Sequence, residues 1–390
     1  MQHIDHVTRN TISSLIESAS HPCISLYCPM EIKGKDTEQN SIRYKNLINQ
    51  TEKQLKALGF RDTEIQPLLE SARALIPETP YWQHQNQGLA VFMAPNVFET
   101  YRLPIKFQEH LTVSPRFHIM PVLPFVSKSE ETFYILALDL QKMALYRATP
   151  FELEDISPEN MPINIEELLQ YEEPERQLQY HTGTGEGKGK RPAMFHGHGT
   201  GGDDVGRKDE ILRFFQSVNR ELREVLADKS QPLLLAGQEY LVGLYRQANS
   251  YNHLADTAVT KDPETFRNDD LHQHAILQMQ DYLNQTKQHA IERFPAEKKT
   301  SKDLAEILHA TTRNQVEILF VAEGAEKWGE FDANADEIVY HEAREPEDVN
   351  LYDVAAEKSF LHKAQVFVLP KDDMPTDTSI AAIFRFVTER

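Results

Sequence analysis

The chain has 390 residues, of which 40% are hydrophobic and 26% are charged, as in an ordinary soluble globular protein. Its formal net charge of −19 argues against nonspecific nucleic-acid binding and against an anionic membrane surface, while leaving room for a local basic patch that contacts RNA. Two cysteines give neither a disulfide framework nor a zinc site, and no apolar run is long enough to span a membrane. We therefore expect a cytoplasmic protein of two or three domains that binds neither membrane nor DNA.

The first 128 residues predict an α/β domain. A helical pattern ending at Ser18 is followed by a strand, two amphipathic helices and a strand hairpin. The stretch Leu111–Phe125 contains several prolines and predicts an edge strand followed by an exit linker. The predicted strands are Cys23–Cys28, Leu89–Met93 and Val97–Leu103. The first of the two amphipathic helices is predicted to end at Gly59.

A composition change at residues 127–131 marks the start of a second α/β domain, which we place at residues 129–260. Phe133–Leu138 and Met143–Ala148 predict a hairpin, and Phe151–Ile156 a third strand. A glycine-rich segment then precedes a helix over 208–228, whose apolar residues recur at spacings of three and four. The domain closes with a buried strand at 232–237 and a helix that begins at Tyr240.

The third predicted domain spans residues 261–390 and alternates helices with strands, as in a compact α/β/α sandwich. It opens with a helix that we expect to run unbroken from Asp270 to Phe294. The other predicted helices are 302–310 and 352–361, and the predicted strands are 315–321, 365–369 and 380–386.

Nine of the sixteen glycines lie in Gly183–Gly206, directly before the helix over 208–228. Such a segment gains little from side-chain burial, so its composition favours contact between bare backbone and a partner. It also carries the clearest basic cluster of this acidic chain. Lys188, Lys190 and Arg191 stand close together in the sequence, and Arg207 and Lys208 follow at the end of the segment. A basic segment at a helix N-terminus suits phosphate contact, and Asp203 or Asp204 could cap that helix. A merely solvated charged loop is the alternative.

Three other kinds of site can be considered for this segment. His181, His196 and His198 with the two aspartates could ligate Zn²⁺ or Mn²⁺, but glycines give metal ligands no rigid frame. A P-loop fails because neither Lys188 nor Lys190 is followed by Ser or Thr. The run 197–202 matches the dinucleotide pattern Gly-x-Gly-x-x-Gly, but no strand leads into it. We therefore predict neither a metal nor a cofactor.

Several runs of sequence carry a resemblance to a known family. They are Lys208-Asp-Glu-Ile-Leu-Arg-Phe-Phe, Pro232-Leu-Leu-Leu-Ala-Gly and Tyr245-Arg-Gln-Ala-Asn-Ser-Tyr, followed later by Asp303-Leu-Ala-Glu-Ile-Leu. Their order resembles the archaeal and eukaryotic class 1 peptide-chain release factors and Pelota, and more closely the bacterial release-factor-like families. The resemblance implies an RNase H-like, release-factor-type middle domain at 129–260 with its loop at 181–207. It also implies an L7Ae-like sandwich at 261–390, while residues 1–128 match no stop-codon domain.

In release factors the middle-domain loop carries Gly-Gly-Gln, which positions water at the peptidyl-tRNA ester. Here Asp203 follows Gly201-Gly202 where that glutamine would stand, which disfavours ester hydrolysis. The resemblance therefore implies a translation factor associated with the ribosome or tRNA in rescue, recycling or dormancy, without stop-codon reading. A hydrolase of an RNA ester or phosphodiester is one alternative, and a protein-interaction adaptor that has lost translation contacts is the other. We expect partner contact through Lys188, Lys190, Arg191, His196, His198, Gly199, Gly201, Gly202, Asp203, Arg207 and Lys208.

Overall fold

A computed structural model describes residues 4–32, 37–162, 164–166, 203–227, 229–260, 268–332, 335 and 337–386. The chain forms two compact units, which we call unit 1 (Met1–Ser129 with Asn284–Arg390) and unit 2 (Glu130–Leu283). Both are mixed α/β, in agreement with the predicted fold class. The composition change near residue 129 coincides with a unit boundary. The predicted three-domain layout is not confirmed, because the two ends of the chain share unit 1.

The N-terminal part of unit 1 is a four-stranded antiparallel sheet in the order β3-β2-β1-β4. The apolar sides of two helices pack against it, and β1 and β2 are buried along almost their whole length. Gly59 ends the first of these helices at a φ of +90°, a conformation that glycine adopts without strain. The elements are α1 Arg9–Glu17, β1 Cys23–Pro29, α2 Glu38–Ala57, α3 Asp62–Leu75, α4 Thr79–Gln83, β2 Gly88–Ala94, β3 Val97–Leu103, β4 His110–Ser114 and α5 Leu123–Ser129.

The stretch that follows β4 corrects one prediction. β4 is an edge strand as expected, but the expected exit linker is a 3₁₀ turn at Met120–Val122 that continues into α5. Pro121 and Pro124 fit here because both stand in the first turn of a helical segment, where a missing N–H costs little. Phe125 and Val126 are buried, so the segment belongs to the core of unit 1.

Unit 2 is built on a five-stranded sheet in the order β7-β6-β5-β8-β9. The predicted hairpin is confirmed, since β5 and β6 pair antiparallel, whereas β8 runs parallel to both β5 and β9. Helices α6 and α7 pack against one face of this sheet and α8 against the other. The elements are β5 Phe133–Leu138, β6 Ala144–Ala148, β7 Leu153–Asp155, α6 Asp203–Leu226, β8 Leu233–Gly237, α7 Glu239–Ala248, β9 Leu254–Thr260 and α8 Asn268–Gln278.

Two helix predictions in this region need correction. α6 begins at Asp203, five residues before the predicted start, so Asp203 and Asp204 belong to the helix. Aspartates are favourable in a first turn because they face the positive end of the helix dipole. The helix expected to run unbroken from Asp270 to Phe294 is two helices that meet at Met279, which is buried in the core of unit 2. β9 was not predicted.

The C-terminal part of unit 1 carries a second four-stranded sheet in the order β10-β16-β11-β15, in which β11 runs parallel to β15 and antiparallel to β16. A small three-stranded sheet, β13-β12-β14, was not predicted. The elements are α9 Gln280–Ala296, β10 Thr300–Ser301, α10 Leu304–Thr312, β11 Val316–Ala322, β12 Trp328–Asp332, β13 Glu337–Tyr340, β14 Val349–Asn350, α11 Leu351–Leu361, β15 Gln365–Leu369 and β16 Ile380–Phe384. The L7Ae-like type of this region stays a prediction.

Candidate functional site

Most of the predicted binding segment lies outside the described residues. This holds for the residues Lys188, Lys190, Arg191, His196, His198, Gly199, Gly201 and Gly202. The described part of the predicted site is the beginning of α6, which contains the other three predicted residues: Asp203, Arg207 and Lys208.

The first turns of α6 present cations and open backbone to solvent. Arg207 and Lys208 are both exposed. Beside them, a Cβ placed on Gly206 would meet no atom of the described residues within 4 Å, apart from its chain neighbours and the backbone of its own helix. Exposed cations close to free N–H groups at a helix N-terminus form a surface that can contact phosphate.

The remainder of α6 is a rigid support for that surface. Ile211, Phe214, Phe215 and Val218 face the sheet of unit 2 and are almost completely buried, as the spacing of apolar residues predicts. The ring of Phe215 lies 5.5 Å from the ring of Tyr245 in an edge-on contact. Burial of large apolar side chains stabilises a helix by about 1.5–3 kcal/mol each, so the start of α6 is held in place by its own apolar face.

Unit 1 contains a cluster of charged side chains, built around the buried carboxyl groups of Asp353 and Glu357, that sequence reasoning missed. Arg116 pairs with Glu357 through two contacts, Nη2 to Oε1 at 2.7 Å and Nε to Oε2 at 3.2 Å. Asp353, one helical turn before Glu357 on α11, accepts backbone N–H bonds from Ile119 at 3.1 Å and Met120 at 2.9 Å. The Nδ1 atom of His118 lies 3.3 Å from Asp353. These contacts join the N-terminal and C-terminal parts of unit 1.

Burial shifts the pKa of two groups at this cluster, Glu357 and His110. It raises the pKa of Glu357 to about 7, because the charged carboxylate loses hydration and Arg116 only partly compensates. Burial also lowers the pKa of His110, which lies beside His118, because it disfavours the imidazolium. A carboxyl group that titrates near neutrality can mark a catalytic acid or base.

The cavity beside these groups is too small to hold a ligand. Its volume is about 10 Å³, enough for about one water molecule, and its lining includes His110, Arg116, Asp353 and Glu357. A reacting small molecule needs a pocket many times larger. We therefore interpret the cluster as structural. No sequence signal identified it, because its paired side chains lie far apart along the chain; Arg116 and Glu357 are 241 residues apart.

The described residues also bear on two other kinds of site. Among them, no group of three or more His, Cys, Asp or Glu side chains is arranged to hold a metal ion. Within those same ranges, no helix combines the length and the apolar composition that crossing a bilayer requires.

One comparison with known proteins matches most of unit 2 to a protein family. Residues 133–281 match the family model of the bacterial archaeo-eukaryotic release factor family 7. A comparison with curated proteins gave no match.

Among solved structures, the archaeal translation termination factor aRF1 is 13% identical to this chain. The match covers 97% of this chain and 99% of aRF1, with a TM-score of 0.23. Archaeoglobus fulgidus Pelota is 14% identical over 77% of this chain and 80% of its own, with a TM-score of 0.32. S. cerevisiae Dom34 is 9% identical over 75% of this chain and 74% of its own, also with a TM-score of 0.32.

The TM-scores are low, so the resemblance rests on the family match over residues 133–281. That match begins at the first strand of unit 2 and includes the hairpin, α6, β8, α7, β9 and α8. It confirms, over residues 133–281, the predicted resemblance of this chain to the bacterial release-factor-like proteins.

Proposed function

We propose that this protein is a translation factor of the release-factor-like class, which binds the ribosome or a tRNA in rescue, recycling or dormancy and does not read stop codons. The observation that carries the proposal is the match of residues 133–281 to bacterial archaeo-eukaryotic release factor family 7. The predicted domain types, an RNase H-like middle domain and an L7Ae-like C-terminal domain, and a cytoplasmic location are parts of the same proposal.

The chemistry of the chain restricts how such binding can occur. The chain as a whole carries a net charge of −19, which repels RNA. Contact with RNA therefore has to be made through a local basic surface. We assign that role to residues 181–207 together with Lys208, because the sequence of this segment carries Lys188, Lys190 and Arg191 and ends at the exposed cations Arg207 and Lys208. Phosphate contact through these side chains would be sensitive to salt.

The test is co-sedimentation with ribosomes across a series of salt concentrations. The triple variant Lys188→Glu, Lys190→Glu, Arg191→Glu should bind more weakly, and its affinity should depend less on salt, by about one unit of slope for each lost phosphate contact. Thermal unfolding should be unchanged. Equal binding by the variant and the original chain at every salt concentration would contradict the proposed contact.

A matched control carries the same change of charge on unit 1. Lys45, Lys53 and Arg61 are exposed on or beside α2 and α3, and their replacement by Glu alters net charge by the same amount. This control should bind as the original chain does. If it loses binding to the same extent, net charge rather than the basic segment governs association.

The hydrolase alternative has its own test. An exposed aspartate has a reference pKa of about 3.9, which is too low for an efficient base at pH 7, so we expect no turnover of peptidyl-tRNA on ribosomes. Turnover that disappears in Asp203→Ala would favour the hydrolase alternative.

A further inference from the structure

The small sheet of unit 1 has an open edge at β13. In its order β13-β12-β14, β13 pairs with β12 on one side and, in the part of the chain that the structure describes, with no strand on the other. The His341 N–H donates to the Trp328 carbonyl at 3.1 Å, so His341 directs its backbone groups toward β12, and Val339, two residues earlier, does the same. The N–H and C=O groups of Ile338 and Tyr340 therefore point toward the open edge, where another strand can pair with them.

The two faces of this sheet differ in chemistry. Phe331 pairs with Ile338 in the register, and their face packs against helices, since the Phe331 ring lies 5.7 Å from Lys358 Nζ on α11 and 6.5 Å from the His309 ring on α10. Alternate residues of a strand point to opposite faces, so the neighbours of Phe331 and Ile338 face solvent. This solvent face carries three acidic side chains and one apolar side chain, all exposed: Glu330, Asp332, Glu337 and Val339.

The surroundings of the open edge are acidic as well. Two nearby cations are directed at aromatic rings: Lys327 Nζ lies 5.4 Å from the centre of the Tyr340 ring, and the Arg344 guanidinium lies 4.4 Å over the Trp328 ring. The segment that follows β13 adds further exposed glutamates, which are Glu342, Glu345 and Glu347. An acidic surface thus adjoins a strand edge that is open to pairing.

An open edge beside an acidic face favours one kind of partner. Backbone groups at a sheet edge pair with an extended peptide, whose side chains then alternate between the two faces. On the solvent face these side chains should be basic, and on the other face, beside Ile338 and Tyr340, they should be apolar. Tyr340 is 44% exposed and Val339 is 48% exposed, so both gain cover from an added strand. A second copy of this chain is disfavoured as the partner, because pairing would bring two acidic faces together.

We propose that β13 binds an extended basic segment of a partner protein as a fourth, antiparallel strand in which Lys or Arg alternates with apolar residues. The apolar residues opposite Ile338 and Tyr340 exchange backbone hydrogen bonds with them. The basic residues between face solvent, one beside Glu337 and one with its stem over Val339 and its charge toward Glu330. The proposal does not rest on the proposed function, since the basic segment of this chain takes no part in it.

The test uses a labelled peptide of eight residues in which lysine and valine alternate, with blocked ends, and measures its fluorescence anisotropy with the full chain. We expect saturable binding that weakens as salt is added. Two isomers of equal charge separate strand addition from simple adsorption of a polycation. N-methylation of the valine amides, which meet β13, should abolish binding, whereas N-methylation of the lysine amides, which point away from β13, should preserve it.

Charge reversal connects binding to the solvent face of the sheet. The double variant Glu330→Lys, Glu337→Lys should bind the unmethylated peptide about tenfold more weakly or worse, because like charges then oppose each other. The matched control is Glu17→Lys, Glu70→Lys, which changes net charge by the same amount at exposed positions of α1 and α3. The control should bind as the original chain does, and both variants should keep its unfolding temperature.

Hydrogen exchange measured by NMR gives a direct readout of the edge. Without peptide, the amides of Ile338 and Tyr340 should exchange rapidly, while those of Val339 and His341, which face β12, exchange more slowly. Saturation with the unmethylated peptide should protect Ile338 and Tyr340.

Three results would refute the proposal. The first is the absence of saturable binding of the unmethylated peptide up to millimolar concentration. The second is equal binding of the two methylated isomers, or weaker binding of the lysine-methylated one. The third is a dimer, detected by sedimentation without peptide, in which the amides of Ile338 and Tyr340 are already protected, since a second copy would then occupy the edge.

Discussion

Replacement of Glu357 by glutamine should remove a specific pH dependence of the stability of unit 1. Glu357 is buried on α11, and its pKa is about 7 in the folded chain against 4.5 for an ordinary glutamate. Between these pH values the folded chain keeps a proton that the unfolded chain has released. The free energy of unfolding therefore contains a contribution that is complete below pH 4.5 and is lost as the pH rises to about 7.

The size of this contribution follows from the difference between the two pKa values. One pKa unit corresponds to about 1.4 kcal/mol, so the original chain should lose up to about 3 kcal/mol of stability over this pH interval through Glu357. The glutamine side chain of the Glu357→Gln variant cannot titrate, although its oxygen can still accept a bond from Arg116. Histidines that titrate in the same interval are present in both proteins, so the difference between them isolates Glu357.

The assay is urea unfolding followed by tryptophan fluorescence at several pH values from 4.5 to 8. Trp82 and Trp328 are the chain's two tryptophans, and both belong to unit 1, so the signal reports that unit. Glu70→Gln is the control, since Glu70 is exposed on α3. Parallel pH profiles for the original chain and for Glu357→Gln would show that burial does not raise the pKa of Glu357, and would refute the reasoning.

Three further predictions concern cysteines and glycines. Burial raises the pKa of Cys23 and of Cys28 to about 12, so both thiols should resist a thiol reagent in the folded chain and react in urea; rapid labelling without urea would contradict this. Gly88→Ala should destabilise unit 1 by about 1–3 kcal/mol in urea unfolding, because its Cβ would collide with the Ile105 carbonyl oxygen. Gly206→Ala, on the open first turn of α6, should instead leave stability unchanged or raise it by up to about 1 kcal/mol; a loss there would contradict the open environment.

Several of the elements that sequence patterns predicted have continuous or periodic burial. β1, β5, β8 and β11 are short apolar runs that are buried along nearly their whole length, and α6 repeats its apolar residues at helical spacing. Such patterns follow from local geometry alone.

The elements that were missed lack that local signal. β12 reads Trp-Gly-Glu-Phe-Asp and buries one of its five residues, and β13 buries none of its four. Their pairing depends on partners elsewhere in the chain rather than on their own composition. For the same reason, the Arg116–Glu357 pair could not be predicted from the sequence, since its two members are 241 residues apart.

Unit 1 is made from both ends of the chain, and this has a consequence for synthesis on the ribosome. The contiguous unit 2 can complete its core as soon as it has emerged, because domains generally fold as units and N-terminal segments emerge first. Residues 1–129 emerge even earlier, yet the N–H groups of Ile119 and Met120 have no Asp353 to bind until α11 is made. The first-made segment must therefore remain incomplete longest, and its exposed surface near residues 116–120 is where we expect chaperones to bind the nascent chain.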